Sequence, residues 1–215
     1  SILLMKAIYP LLLALSACGG PIMHIPGSLD SLGRPAEEYT PSDTLRNKTK
    51  KSAAKGKDVV RAARHYLSHR PKRDDCSGFV EAVFDRLGLD FNGSVSMMWD
   101  QAKSSGAVHH RKRPRIGDLI FFDNTHDNNG NQKWDDPLTH IAVVIDVEPD
   151  GPIVFAHGGT GRGRTTGRMN LQHPSTHSHD EFILNDYLRR SSPRDPPRTT
   201  YLAGELWRGF ATLYH

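Results

Sequence analysis

A chain of 215 residues accommodates one domain with a sizeable buried core plus flanking segments. Its 37% hydrophobic and 24% charged residues are ordinary for a soluble globular protein. The net charge of +4 suits acidic partners such as anionic lipid, wall polymer or nucleic acid without choosing among them. With only two cysteines, Cys18 and Cys76, a disulfide-built scaffold is excluded, and no disulfide between them is expected.

The chain opens with an address. Lys6 precedes an apolar run from Ala7 to Leu15 that small residues close, the layout of a secretory signal starting at Met5. The run is too short to span a bilayer, which takes about 20 apolar residues. Leu15-Ser16-Ala17-Cys18 resembles the lipobox of bacterial lipoproteins, and the resemblance implies cleavage before Cys18 and acylation of its thiol. Lipid there would hold the protein at a membrane. Gly19 in the next position favours the outer membrane, facing the periplasm, if the cell is Gram-negative. Residues 1–18 are therefore expected to be signal and lipobox. Residues 19–57 carry Pro, Ser, Gly and charge, including Arg46, Lys48, Lys50, Lys51, Lys55 and Lys57, and read as a disordered basic linker.

From Asp58 the pattern becomes that of a folded domain, expected over 58–215. Val59, Val60, Ala63, Tyr66 and Leu67 recur at helical spacing, with Asp58 placed to cap. A second helix has Asp75 as its cap, Phe79, Val80, Val83 and Leu87 as its apolar stripe, and Gly88 where a left-handed terminal residue is wanted. Beyond Gly117, β-like runs occupy 119–122, 141–145, 153–156 and 206–213, bounded by Gly, Asn, Asp and Pro. Residues 182–188 suggest a short amphipathic helix. Helices first and strands afterwards predict an α+β domain, its N-terminal helices packed on an antiparallel sheet.

Asp75-Cys76-Ser77-Gly78-Phe79-Val80 puts a cysteine on the first turn of the second helix. Backbone N–H groups are unpaired there and the helix dipole is positive, which favours a thiolate. A small apolar core cysteine is the bland alternative. A thiol also needs an imidazole to take its proton, and the imidazole needs a third group to hold its tautomer. His140 begins an apolar strand, so its ring can project from the sheet edge toward the helix end. His157 ends the next apolar run, and a turn over 148–151 would bring it alongside.

Four segments occur in order: Asp75 to Val80, Gly117-Asp118-Leu119-Ile120-Phe121-Phe122, Thr139-His140-Ile141-Ala142-Val143-Val144 and Val154-Phe155-Ala156-His157. Together, over roughly residues 58–165, they resemble the NlpC family of cell-wall cysteine peptidases. The resemblance implies a papain-like fold with Cys76 as nucleophile, His140 as base and His157 as the residue that orients the base. It also implies a tyrosine before the cysteine that helps hold the oxyanion. Here Tyr66 falls on a helix position and Arg70 takes the loop position, so only the Cys76 N–H is assigned to the oxyanion. Asp75 and Ser77 are expected beside the substrate.

Other polar clusters are weaker signals. Asp127, Asn129, Asn131 and Asp135 alternate as in a calcium loop, with Lys133 offering a carbonyl. Gln132 stands where such a loop has Gly, and no Glu closes it. Calcium there would be structural, ordering the approach to His140; no cofactor is expected for catalysis. His173, His177 and His179, with Asp180 and Glu181, read as a solvated loop rather than a zinc site. Gly158-Gly159-Thr160-Gly161-Arg162-Gly163-Arg164 lacks the Lys-Ser/Thr ending of a phosphate loop and instead borders the groove, where Arg162 would meet peptide carboxylates.

The sequence therefore predicts a lipid-anchored peptidoglycan hydrolase of the cell envelope, cutting an amide of the stem peptide through a cysteine acyl-enzyme. For the family it resembles, that bond joins D-glutamate to diaminopimelate. The alternatives are an N-acetylmuramoyl-L-alanine amidase and a non-catalytic wall-binding lipoprotein. Peptidoglycan and a membrane are the expected partners, and nucleic acid is not. Oligomeric state is not written in the sequence.

Overall fold

The computed structural model describes residues 56–149 and 151–214. In chain order these form helix α1 (56–68), α2 (Cys76–Asp85), α3 (Val95–Ser104), strands β1 (Val108–His109), β2 (Leu119–Phe122), β3 (His140–Val147), β4 (Ile153–Thr160) and β5 (Gly163–Met169), a hairpin of β6 (Ser178–His179) and β7 (Phe182–Ile183), the short helix α4 (Ala203–Leu206) and β8 (Trp207–Ala211). The signal, the lipobox at Cys18 and the basic linker lie outside the described residues, apart from Gly56 and Lys57, which are already helical. Asp58 is consequently inside α1 and pairs with Arg61 one turn on, so it does not cap the helix as expected.

Six strands form one antiparallel sheet in the order β1-β8-β2-β3-β4-β5, so the predicted α+β architecture holds. Because side chains alternate along a strand, β2 divides its run between two cores. Leu119 and Phe121 join Ile141 and Val143 under Val59, Phe79, Val83, Met98 and the rest of the helical layer. Ile120 and Phe122 face the other way, with Ala142, Val144, Phe155, Met169, Leu206 and Phe210. Each fully buried Phe or Leu in these layers contributes about 2 kcal/mol of transfer free energy.

Helix α2 follows the expected chemistry closely. The Gly78 N–H donates to the Asp75 carboxylate at 2.5 Å, satisfying one orphan donor of the first turn. Phe79, Val80 and Val83 are fully buried on its inner face. Gly88 has φ +69°, a left-handed conformation that a residue with a Cβ takes only under strain. Helix α3 was missed, although Ser94 caps it through the Met97 N–H and Val95, Met98, Trp99 and Ala102 bury at helical spacing.

The remaining differences lie late in the chain. Strand β4 runs past Ala156 to Thr160, so His157 sits within a strand rather than at its end. The 158–164 segment, read as a groove border, is the end of β4 and the turn into an edge strand, β5, for which the sequence offered no strand signal. Residues 182–188 are not an amphipathic helix: 182–183 pair with β6, and Leu184 and Asn185 donate to the His177 carbonyl. The expected strand at 206–213 is present as β8, Trp207–Ala211, with Leu206 closing α4 just before it.

Candidate active site

Cys76 occupies the first position of α2, whose N-terminus lies across the end of β4. A Cβ on Gly159 would meet the Cys76 backbone nitrogen at 2.5 Å, and one on Gly158 would meet Phe79 at 3.0 Å. These glycines are clearance for the helix end, a role that the sequence reading did not give them. Arg73 stabilises the same turn from outside: its Nη2 donates to Ser77 Oγ at 2.5 Å and to Asp75 Oδ1 at 3.3 Å, and Nη1 to Glu81 at 3.1 Å. Ser77 Oγ in turn donates to Asp75 Oδ1 at 3.1 Å. Burial pushes the Asp75 carboxyl up, but the Gly78 N–H and Arg73 together hold it below the usual range, so it stays ionised.

His140 is the first residue of β3, delivered by a loop with fixed ends. The Thr139 N–H donates to the Phe122 carbonyl at 3.0 Å and the Leu138 N–H to Asp123 at 2.7 Å, while Asp123 also pairs with Arg208 at 2.9 Å. Thr125 bonds Thr139 through both its N–H and its hydroxyl, each at 2.9 Å. His140 and His157 are both buried, with Nε2 of the first 2.9 Å from Nδ1 of the second and the rings edge to face. That contact leaves Nδ1 of His140 as the nitrogen free to face a proton source. Cys76, His140, Asp75 and Ser77 line one cleft of about 650 Å³, with Ser94, Thr125, His126, Gly159 and Arg190. Among the described residues no hydrogen bond closes the gap between the thiol and His140; the Ile141 backbone lies against the sulfur instead.

The electrostatics differ from the helix-start expectation. Burial pushes the Cys76 thiol up, and although the Ile141 and Ser77 backbone groups pull it back, the Asp75 charge adds to the rise. Burial, then the His157 and His126 charges, hold His140 well below the usual imidazole range. His157 falls to about 4, through burial first and the Arg162 charge second. Burial leads the shift of both groups, so the resting pair is a neutral thiol beside a neutral imidazole. The arrangement can remove a thiol proton only if His140 carries its hydrogen on Nε2, donated to His157, with Nδ1 bare.

Other expected site residues are dispersed. Tyr66 and Arg70 border a separate surface hollow on α1 and α2, and Arg70 pairs with Asp74 at 3.2 Å, so neither reaches the cleft. Arg164 is spent on Asp74 at 2.6 Å. Arg162 borders a second cavity, on the far side of His157. In the calcium-like loop Gly130 and Gln132 donate to Asp127 at 2.8 Å, Asn131 N–H donates to Asn129 at 2.9 Å, and Asn131 Nδ2 donates to Asp135 at 3.1 Å. These oxygens already serve turn N–H groups, and among the described residues no three His, Cys, Asp or Glu converge as metal ligands. His177 Nδ1 bonds the Asn185 carbonyl at 2.7 Å and His179 pairs with Asp180 in solvent, as a polar loop would.

Residues 66–159 match the family model of the CHAP domain, a papain-like, cysteine- and amidase-type hydrolase domain associated with peptidoglycan hydrolases. The match supports a hydrolase with peptidoglycan as substrate. It takes in Cys76, His140 and His157 and names the CHAP domain, where the four motifs resembled the NlpC family. No curated protein matches the chain.

Proposed function

We propose that the protein is a peptidoglycan hydrolase that cuts an amide of the stem peptide through a thioester on Cys76. The observation that carries this is the 2.9 Å contact between His140 Nε2 and His157 Nδ1, with His140 lining the same cleft as Cys76. In this reading His140 Nδ1 takes the thiol proton as Sγ attacks the carbonyl carbon, because neither group is charged at rest. Positive charge then grows on His140, and its Nε2–H donates to His157, which orients it. The Cys76 N–H, at the start of a ten-residue helix, faces the oxyanion. As the carbon–nitrogen bond breaks, the same proton passes to the leaving amine. Water, deprotonated by His140, then releases the acid and restores the thiol.

The bond between D-glutamate and diaminopimelate is the first choice, on the resemblance to the NlpC family; the bond between muramic acid and L-alanine is the second. Anchoring to a membrane through lipid on Cys18, with the outer membrane as address, belongs to the same proposal and rests on the lipobox alone. Calcium in the 127–135 loop enters only as a structural ion, read by whether calcium raises the melting temperature and Asp127→Ala abolishes the rise. The function is tested by digesting purified sacculi with the soluble domain and with Cys76→Ala, then identifying the new termini by mass spectrometry. Termini from the active protein alone name the bond. Identical digests from both proteins remove Cys76 from the reaction.

A further inference from the structure

A second cavity, of about 710 Å³, opens beside the first. Thr160, Gly161, Leu188 and Arg190 line both, so the two are halves of one groove that turns around the end of the β4–β5 hairpin. His157 stands at the bend. Its Nδ1 is engaged by His140, its ring lines the second cavity, and its Nε2 has no hydrogen-bond partner among the described residues.

The charges around this cavity are unbalanced. Arg189 is engaged internally, its Nη groups by Asp195 at 2.7 Å and the Asn124 carbonyl at 2.9 Å and its plane by the face of Trp134. Asp186, the acid in the lining, accepts the Arg168 N–H at 2.7 Å. Arg162 and Arg190 are exposed, and neither guanidinium has an ion pair or hydrogen bond among the described residues. The floor is apolar where Phe155 lies over Gly167 across the β4–β5 pair, leaving 2.5 Å for any Cβ at that position. Two unspent guanidinium groups over an apolar floor suit a short aliphatic segment that ends or branches in a carboxylate.

We infer that the second cavity is a carboxylate-binding subsite, holding an anionic residue of the stem peptide between Arg162 and Arg190 and against His157. The inference rests on the hydrolase reading for the identity of the ligand. It also supplies what the histidine pair lacks. Among the described residues no carboxylate bonds His140 or His157, and the charges acting on the site are those of Arg162, His126 and, across the cleft, Asp75 beside Cys76. A substrate carboxylate at Arg162 would cancel a charge that disfavours protonation of His157 and would offer its Nε2–H an acceptor. Substrates with free carboxyl groups would then be preferred over amidated ones.

The test uses Cys76→Ala protein, so that nothing turns over, and calorimetric titration with a stem tripeptide whose carboxyl groups are free or amidated. The free acid is expected to bind at least about tenfold tighter, a difference of about 1.4 kcal/mol. Adding Arg162→Gln should bring the two affinities within about twofold, whereas Arg64→Gln, on the exposed side of α1, should leave the preference intact. Equal binding of the two peptides, no binding of either, or a preference that survives Arg162→Gln would overturn the subsite. Should the wild-type protein bind with the expected preference yet cleave no stem peptide, the hydrolase reading falls and the subsite stands.

Discussion

The two faces of the sheet are covered by different means. On one face α1, α2 and α3 lay regular apolar stripes over Leu119, Phe121, Ile141 and Val143. On the other, irregular chain between β5 and β8 is held by polar staples. Asn185 is fully buried, accepts the Asn170 and Gly204 N–H groups at 2.7 and 3.1 Å, and donates to the His173 and Thr176 carbonyls, both at 2.8 Å. The candidate site needs both coverings. Cys76 arrives from the helical face, whereas His140 and His157 belong to the other, packed against Phe122 and Phe155. They meet because His140 is the first residue of β3, where the sheet stops and a side chain can reach around its end. A site at such a boundary can be supplied with a thiol by one layer and with a second cavity by the other.

The largest effects are expected from removing the group that each face contributes. Cys76→Ala and His140→Ala should each lower hydrolysis by about a thousandfold or more, with unchanged circular dichroism. His157→Ala should cost about ten- to a hundredfold, and His157→Asn should recover much of that, since an amide oxygen can accept the Nε2–H of His140. A full-activity His157→Ala protein would dismiss the orienting role.

The coverings should also fail differently. Phe79→Ala empties a fully buried position under the helices and is expected to cost about 3–5 kcal/mol of global stability in denaturant titration. Asn185→Ala strands two buried N–H groups and two carbonyls, at about 1–3 kcal/mol for each that water cannot reach. That loss should appear first as proteolytic cutting between residues 171 and 202 while α1 to α3 stay protected. Simultaneous loss of both faces would mean that the coverings form one cooperative unit.

A smaller effect should follow from pH. His157 titrates near 4 when folded and near 6.5 when unfolded, so the unfolded chain binds its proton first. Its contribution is fully present above about pH 6.5 and is lost as pH falls toward 4, in total about 3 kcal/mol. His140, also held low, adds in the same direction. His157→Asn should flatten the acid side of the stability curve; an unchanged curve would show that the imidazole is not buried neutral.

The least costly change is at the cap. Asp75→Ala removes the acceptor of the Gly78 N–H and should destabilise the fold by about 1 kcal/mol. It also removes a negative charge beside the thiol, so alkylation of Cys76 by iodoacetamide should move to lower pH. Alkylation already at a plateau near neutral pH in the wild type would mean a resting thiolate–imidazolium pair in place of the neutral one.

Local chemistry made part of this protein legible in advance. Asp75, the Phe79-Val80-Val83 stripe and Gly88 specify α2 through contacts within a few residues, so its start, and Cys76 on its first turn, could be read directly. The 119–122 strand was equally plain, since continuous burial on both faces writes an apolar run. Other features depend on residues distant in sequence. Strand β5 is polar and rich in Gly and Thr, and becomes a strand only because β4 offers it an edge. Arg189 and Arg190 are equivalent neighbours in the sequence, and only tertiary packing buries one against Asp195 and leaves the other in the groove. The state of the thiol belongs to the same class. Position at a helix start argued for ionisation, but burial, which pushes the thiol the other way, is set by tertiary packing that includes the Ile141 backbone of β3. The sequence by itself determined which residues could take part; the tertiary structure decided their charge, their partner nitrogens and the second cavity, because burial and long-range pairing have no local signature.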